Sequence, residues 1–228
     1  MITITFDWRV FMHYLIPARH EHLEQIAVQL ANTGYWRLGL EGNLPQLDYV
    51  SFMIKYIITP QLHFTTVLVE KRKEEIVHGV LICSSLKELE KLPDYSQYLH
   101  PTIGTTFNAV KEIQFPEGYV ISFLTLDKAL RGQKFGKKLF QFAENKAKEE
   151  GFENISLLVW SFSTQAIKFY HSMGMIVTQC ITCEPPIDLP ILCLQKNPLI
   201  VSMNNYLESS KYEQLHLVKN EIRISPMD

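Results

Sequence analysis

The residues of this chain best placed to do chemistry are Arg131-Gly132-Gln133-Lys134-Phe135-Gly136, a basic turn rich in glycine. Tyr119 to Leu126 comes before it, apolar on both alternating faces as a strand covered on both sides must be, and Asp127 to Leu130 leads in. After it Phe135, Leu139, Phe142, Ala143 and Ala147 recur at helical spacing. Lys137, Lys138, Glu144, Lys148 and Glu149 take the wet face, and Gly151 stands where a helix stops. A turn joining a strand to a helix aims backbone N–H groups, and the positive end of the helix dipole, at one point. That point suits a phosphate.

A second strand and helix follow in the same order. Asn154 to Trp160 reads as a buried strand, and Ser163 is placed to cap a helix carrying Ala166, Ile167, Phe169, Tyr170 and Met173, ended by Gly174. The first stretch resembles motif A of the GNAT family of N-acetyltransferases, whose turn reads Arg/Gln-x-x-Gly-x-Gly/Ala. Ala166-Ile167-Lys168-Phe169-Tyr170-His171-Ser172-Met173-Gly174-Met175 is similar to motif B of that family. One residue departs from the pattern: Lys134 stands where the family usually has glycine. A lysine there either adds charge for a phosphate or strains the turn, if the position needs a positive φ.

The resemblance implies an α/β fold: a twisted, mixed, mostly antiparallel sheet with helices on both faces. Its two central strands, here Tyr119–Leu126 and Asn154–Trp160, would splay apart at their C-terminal ends. It implies acetyl-CoA as co-substrate and no metal. The pyrophosphate would lie at Arg131, Gly132, Gln133, Lys134, Phe135, Gly136 and Lys137, the pantetheine arm along Leu124, Thr125 and Leu126, and Ser163 and Phe169 would also touch the cofactor. Tyr170 stands where the family often has a tyrosine that protonates the departing thiolate. Its plainer reading is a helix tyrosine packed on the core with its hydroxyl in water. An alkylamine acceptor has a pKa near ~10, so a base must remove its proton before it attacks. Glu117, just before the central strand, is the candidate, although glutamates at strand ends are usually only solvated. Asp127 reads as a turn former before Arg131.

The remaining elements fit around these. Ile2 to Ile16 reads as one strand or two short ones, followed after Pro17-Ala18 by a helix with Leu23, Ile26, Ala27 and Leu30 on one face, closed by Gly34. Leu47, Val50, Ile54, Ile57 and Ile58 suggest a second helix, ended by Pro60. Leu62 to Glu70 and Ile76 to Ser84 form a hairpin around the charged turn Lys71-Arg72-Lys73-Glu74-Glu75. Residues 86–118 are expected to form an inserted flap, starting with a short helix at Leu86 to Leu92 and anchored by Tyr95, Tyr98, Ile103 and Phe107. Its acidic balance would suit a cationic amine, and solvation explains it equally well. Ile176 to Cys183 and Leu189 to Leu194 read as two further strands. Residues 1–198 thus make an acetyltransferase domain, and residues 199–228 an extension, helix or strand, docking on that domain or on a second copy in a homodimer.

Composition bounds the function. A net charge of -2 over 228 residues gives no case for nucleic acid or an anionic membrane. No apolar run approaches the ~20 residues a membrane helix needs, and Asp7 and Arg9 break any signal peptide, so the expected location is cytoplasmic. Cys83, Cys180, Cys183 and Cys193 read as buried free thiols rather than a disulfide framework or a zinc site, and His20 and His22 as surface residues. Three functions compete: an acetyl-CoA-dependent N-acetyltransferase acting on a small-molecule or protein amine, a non-catalytic acyl-CoA-sensing module, and an interaction protein built on the same fold. Retention of Tyr170 favours the first over the second.

Overall fold

The computed structural model describes residues 13–31, 49–93, 118–181 and 190–196. The chain divides into two units, Met1–Lys196 and Asn197–Asp228, and every described residue lies in the first. Most of the flap, Glu117, the 199–228 extension and residues 1–12 lie outside the described residues.

The described strands are β1 (His13–Pro17), β2 (Thr65–Glu70), β3 (Lys73–Ser85), β4 (Tyr119–Leu126), β5 (Ile155–Trp160), β6 (Ile176–Ile181) and β7 (Ile191–Lys196). They form one sheet in the order β1-β2-β3-β4-β5-β7-β6. Only β4 and β5 run parallel; every other neighbouring pair is antiparallel. The helices are α1 (Leu23–Ala31), α2 (Tyr49–Phe52), α3 (Leu86–Leu89), α4 (Phe135–Glu149) and α5 (Thr164–Ser172).

Alternation along the strands sorts the core into two layers. Val80 and Ile82 of β3 pack with Ile26, Ala27 and Leu30 of α1 and with Phe52, Met53, Ile57 and Ile58, while Leu81 and Cys83 pack with Leu139, Phe140 and Ala143 of α4 and Tyr170 of α5. Helices therefore cover both faces, as the resemblance implies.

The central strands part where β4 carries one extra residue. Cys83 pairs with Ile121 and Ile82 with Phe123, which leaves Ser122 unmatched in a β-bulge. The bulge shifts the alternation: Tyr119 and Ile121 face α4, Phe123 turns to the α1 side, and Leu124 and Leu126 return to the α4 side. Pairing with β5 ends there too, at Ile121 with Leu157, although β4 runs on to Leu126 and β5 to Trp160. The β5-side edge of Ser122 to Leu126 thus has no strand partner among the described residues.

Several sequence expectations need correcting. The hairpin turn is only Lys71-Arg72: Lys73, Glu74 and Glu75 belong to β3, where Glu74 takes the Tyr14 hydroxyl and a 3.3 Å contact from Arg19. Leu62 to Phe64 lie not in β2 but in a 3-10 turn, Thr59–Phe64, that accepts Pro60 near its start, so the second helix passes through a π-helical stretch, Met53–Ile58, without stopping at the proline. His22 is fully buried rather than superficial, because both ring nitrogens are satisfied: Nδ1 accepts from the Arg19 N–H at 3.0 Å and Nε2 lies 3.1 Å from the Glu74 carbonyl. Of the cysteines, Cys83 and Cys193 are buried but Cys180 is exposed, and burial pushes the Cys83 thiol up to about 12. Cys183 lies outside the described residues.

Candidate functional site

The basic turn folds as its composition requires. A 3-10 turn, Lys128–Leu130, leads from β4 into it, and Gly132 takes φ +78 with open space where a Cβ would stand. Lys134 takes φ 67 and ψ 3, the left-handed conformation that glycine adopts without penalty, and stands at the N-cap of α4. The first backbone bond of that helix runs from the Lys138 N–H to the Lys134 carbonyl at 3.0 Å. The N–H groups of Gly132, Lys134, Phe135, Gly136 and Lys137 consequently find no acceptor among the described residues. Successive free N–H groups at a helix N-terminus form a cradle for an anion. Arg131, exposed, reaches back from Nε to the Leu126 carbonyl at 3.3 Å and so ties the turn to the end of β4.

Gly136 is the point of contact with the second motif. A Cβ there would meet the Phe169 ring at 3.4 Å. Phe169 packs edge-on against Phe140 and lies beside Tyr170, so the second half of α5 buttresses the first turn of α4. Tyr170 is buried with its ring beside Phe140, and its hydroxyl has no hydrogen-bond partner among the described residues. Burial pushes its pKa above the ordinary tyrosine range, so the hydroxyl stays protonated at neutral pH. Ser163 stands at the N-cap of α5 as expected, but it is the Ser163 carbonyl that accepts, from the Ile167 N–H at 3.0 Å; its hydroxyl makes no capping bond.

The structure thus brings Leu124, Thr125, Leu126 and the Arg131–Lys137 turn into one run along a parted strand, with Phe169 and Tyr170 packed beside the helix that follows. Sequence reading missed the environment of Asp127. Its backbone opens the turn, yet its carboxylate is held by His78 Nδ1–H at 2.9 Å and lies 3.4 Å from Gln29. No local signal announces partners on β3 and α1.

Among the described residues no three His, Cys, Asp or Glu side chains converge on a metal-sized site, and no helix is long and apolar enough to cross a membrane. The open N–H cradle, the free strand edge beside it and the basic residues flanking it fit a long, flexible ligand that ends in phosphates.

The fold is a mixed, mostly antiparallel sheet whose β4/β5 pair parts beside an open N–H cradle. Residues 101–175, a stretch that includes β4, the cradle and α5, match the profile of the Acetyltransferase (GNAT) family. Comparison with curated proteins gives no match. Among solved structures the chain is similar to the NatC complex bound to Gag peptide and CoA, with TM-score 0.53, 15% identity, 82% of this chain and 98% of that one covered. It is also similar to mosquito arylalkylamine N-acetyltransferase like 5b, with TM-score 0.53, 19% identity, and 81% and 99% covered. An agmatine N-acetyltransferase matches with TM-score 0.56, 13% identity, and 81% and 99% covered. At these identities the likeness is one of fold.

Lys134 offers the first test of the cradle. A left-handed conformation costs an ordinary residue roughly 1–2 kcal/mol, partly offset by glycine's greater freedom when unfolded. Lys134→Gly is therefore expected to stabilise the fold by up to about 1 kcal/mol, raising Tm by ~2–4 °C. The backbone already has the glycine shape, so the cradle survives and only a charge is lost. CoA affinity should fall by about fivefold or less, and should depend less on salt. Tighter CoA binding by the glycine variant in calorimetry would show instead that the lysine obstructs the cradle.

Proposed function

We propose that the chain transfers an acetyl group from acetyl-CoA to a primary amine by direct attack. The observation that carries this reading is the parting of β4 from β5 beyond Ile121 and Leu157, beside a turn whose N–H groups are open. An extended pantetheine arm fits the free edge of Leu124, Thr125 and Leu126 as an added strand would, and the pyrophosphate fits Gly132 to Lys137. Arg131, Lys134 and Lys137 supply positive charge.

On this reading the amine nitrogen bonds to the thioester carbonyl carbon, the C–S bond breaks, and the sulfur takes a proton. A backbone N–H on the parted edge holds the oxygen as it becomes an oxyanion, worth roughly 2.7–4 kcal/mol per donor. Tyr170, kept neutral by burial, gives the proton to sulfur. Glu117, directly or through water, receives the proton that the amine gives up. Domain 1–198 supplies this machinery, and the flap together with the 199–228 extension belongs to acceptor recognition or to pairing of two copies.

The test is release of free CoA thiol from acetyl-CoA across a panel of amines. The fold relatives suggest its range: an arylalkylamine, agmatine and peptides with free N-termini. At least one should give amine-dependent thiol release. CoA binding without release for any amine would favour the sensing module, and absence of CoA binding would favour the interaction protein.

A further inference from the structure

A chain of side-chain hydrogen bonds joins α1 to the end of β4. Gln29 donates from Nε2 to the Val77 carbonyl at 2.7 Å and reaches Asp127 Oδ1 at 3.4 Å. Its Oε1 accepts from the Thr125 hydroxyl at 2.9 Å. The second Asp127 oxygen accepts from His78 Nδ1–H at 2.9 Å, and the Asp127 N–H donates to the His78 carbonyl at 2.8 Å. A carboxylate only accepts, which places the His78 proton on Nδ1.

A second bulge creates this arrangement. The β2–β3 register passes from Leu68 with Gly79 to Val69 with Val77, so His78 is the extra residue. Bulges turn a side chain out of its regular place, and His78 meets Asp127 across the β3–β4 ladder. Val77 is held from the helix instead: Gln25 Oε1 accepts its N–H at 2.9 Å, and Gln29, one turn on, takes its carbonyl.

We propose that Gln29, His78 and Asp127 are positioning residues for acetyl-CoA, an inference that rests on the reading of the parted edge given above. Thr125 lies on the strand edge assigned to the pantetheine arm. Asp127 is the N-cap of the Lys128–Leu130 turn that enters the phosphate cradle. Both are pinned to the same glutamine. Gln29 therefore sets how far β4 runs before it turns, and with it the spacing between the free edge and the cradle. A ligand that must engage both at once depends on that spacing.

Gln29→Glu keeps the shape but sets a carboxylate against the Val77 carbonyl and the Asp127 carboxylate. CoA affinity, measured by calorimetry on the full chain, should fall by about tenfold or more, since small misplacements at a site of this kind are costly. The pyrophosphate signals of bound CoA in phosphorus NMR should move toward those of free CoA. Gln29→Met, which removes the bonds without adding repulsion, should show the same two changes in smaller measure, and it carries the test if the glutamate variant does not fold. Folded variants with lower Tm but unchanged CoA affinity and unchanged phosphorus signals would overturn the proposal, leaving Gln29 as a brace between helix and sheet. Failure of the wild-type chain to bind CoA at all would overturn the reading beneath it instead.

Discussion

Tyr170→Phe is expected to lower kcat by about 10²–10⁴-fold, the range a general acid typically supplies, while CoA affinity changes by less than about threefold, roughly 0.7 kcal/mol. The substitution keeps the ring that packs beside Phe140 and Phe169 and removes only the hydroxyl. That hydroxyl makes no hydrogen bond to the described residues, so its loss should change the stability of the fold little. A second signature separates the variant from the wild type. Burial raises the Tyr170 pKa above the ordinary tyrosine value of about 10. The stability linked to this group is therefore fully present below pH 10 and is lost as pH rises beyond it, because the unfolded chain releases the proton first. The phenylalanine variant should lose less stability on going above pH 10. Single-turnover measurement at saturating acetyl-CoA, under conditions where chemistry limits the rate, decides the matter. Wild-type turnover in the variant would reduce Tyr170 to a packing residue.

Gly136→Glu should weaken CoA binding by about 100-fold or more, equivalent to ~2.7 kcal/mol. The residue opens α4, its N–H is part of the cradle, and a carboxylate on it would compete with the pyrophosphate for the same donors. The Phe169 ring complicates the substitution, since it stands 3.4 Å from where the new Cβ would lie. Gly136→Ala makes that same contact without the charge, and should hold CoA affinity within about threefold. If alanine alone removed binding, the packing of Phe169 on α4 would be the controlling feature. If the folded glutamate variant bound CoA as the wild type does, the cradle would lie elsewhere.

Much of the site was legible in the sequence because it is local. Tyr119 to Gly151 is strand, turn and helix in one run, and glycine spacing together with helical periodicity reports such a unit without reference to the rest of the chain. Even the misfit was visible: Lys134 stands at a position that the backbone holds at positive φ. The two strand-and-helix units and the parting of the central strands followed from the same run through its resemblance to a family.

The order of the elements, their apolar faces and the presence of a turn suited to phosphate could therefore be read from the residues alone. The tertiary structure decided which residues meet across the sheet. The Ser122 bulge depends on pairing with Cys83 and Ile82, and the place of β7 between β5 and β6 on which strand reaches β5. His22 was burial-competent only once the Glu74 carbonyl lay 3.1 Å away. Asp127 and Gln29 share no spacing that a periodic pattern could reveal, being 98 residues apart. A side chain's neighbours in sequence fix its backbone preference, but a polar group's cost of burial is settled by its partner, and distant partners exist only after the sheet has closed.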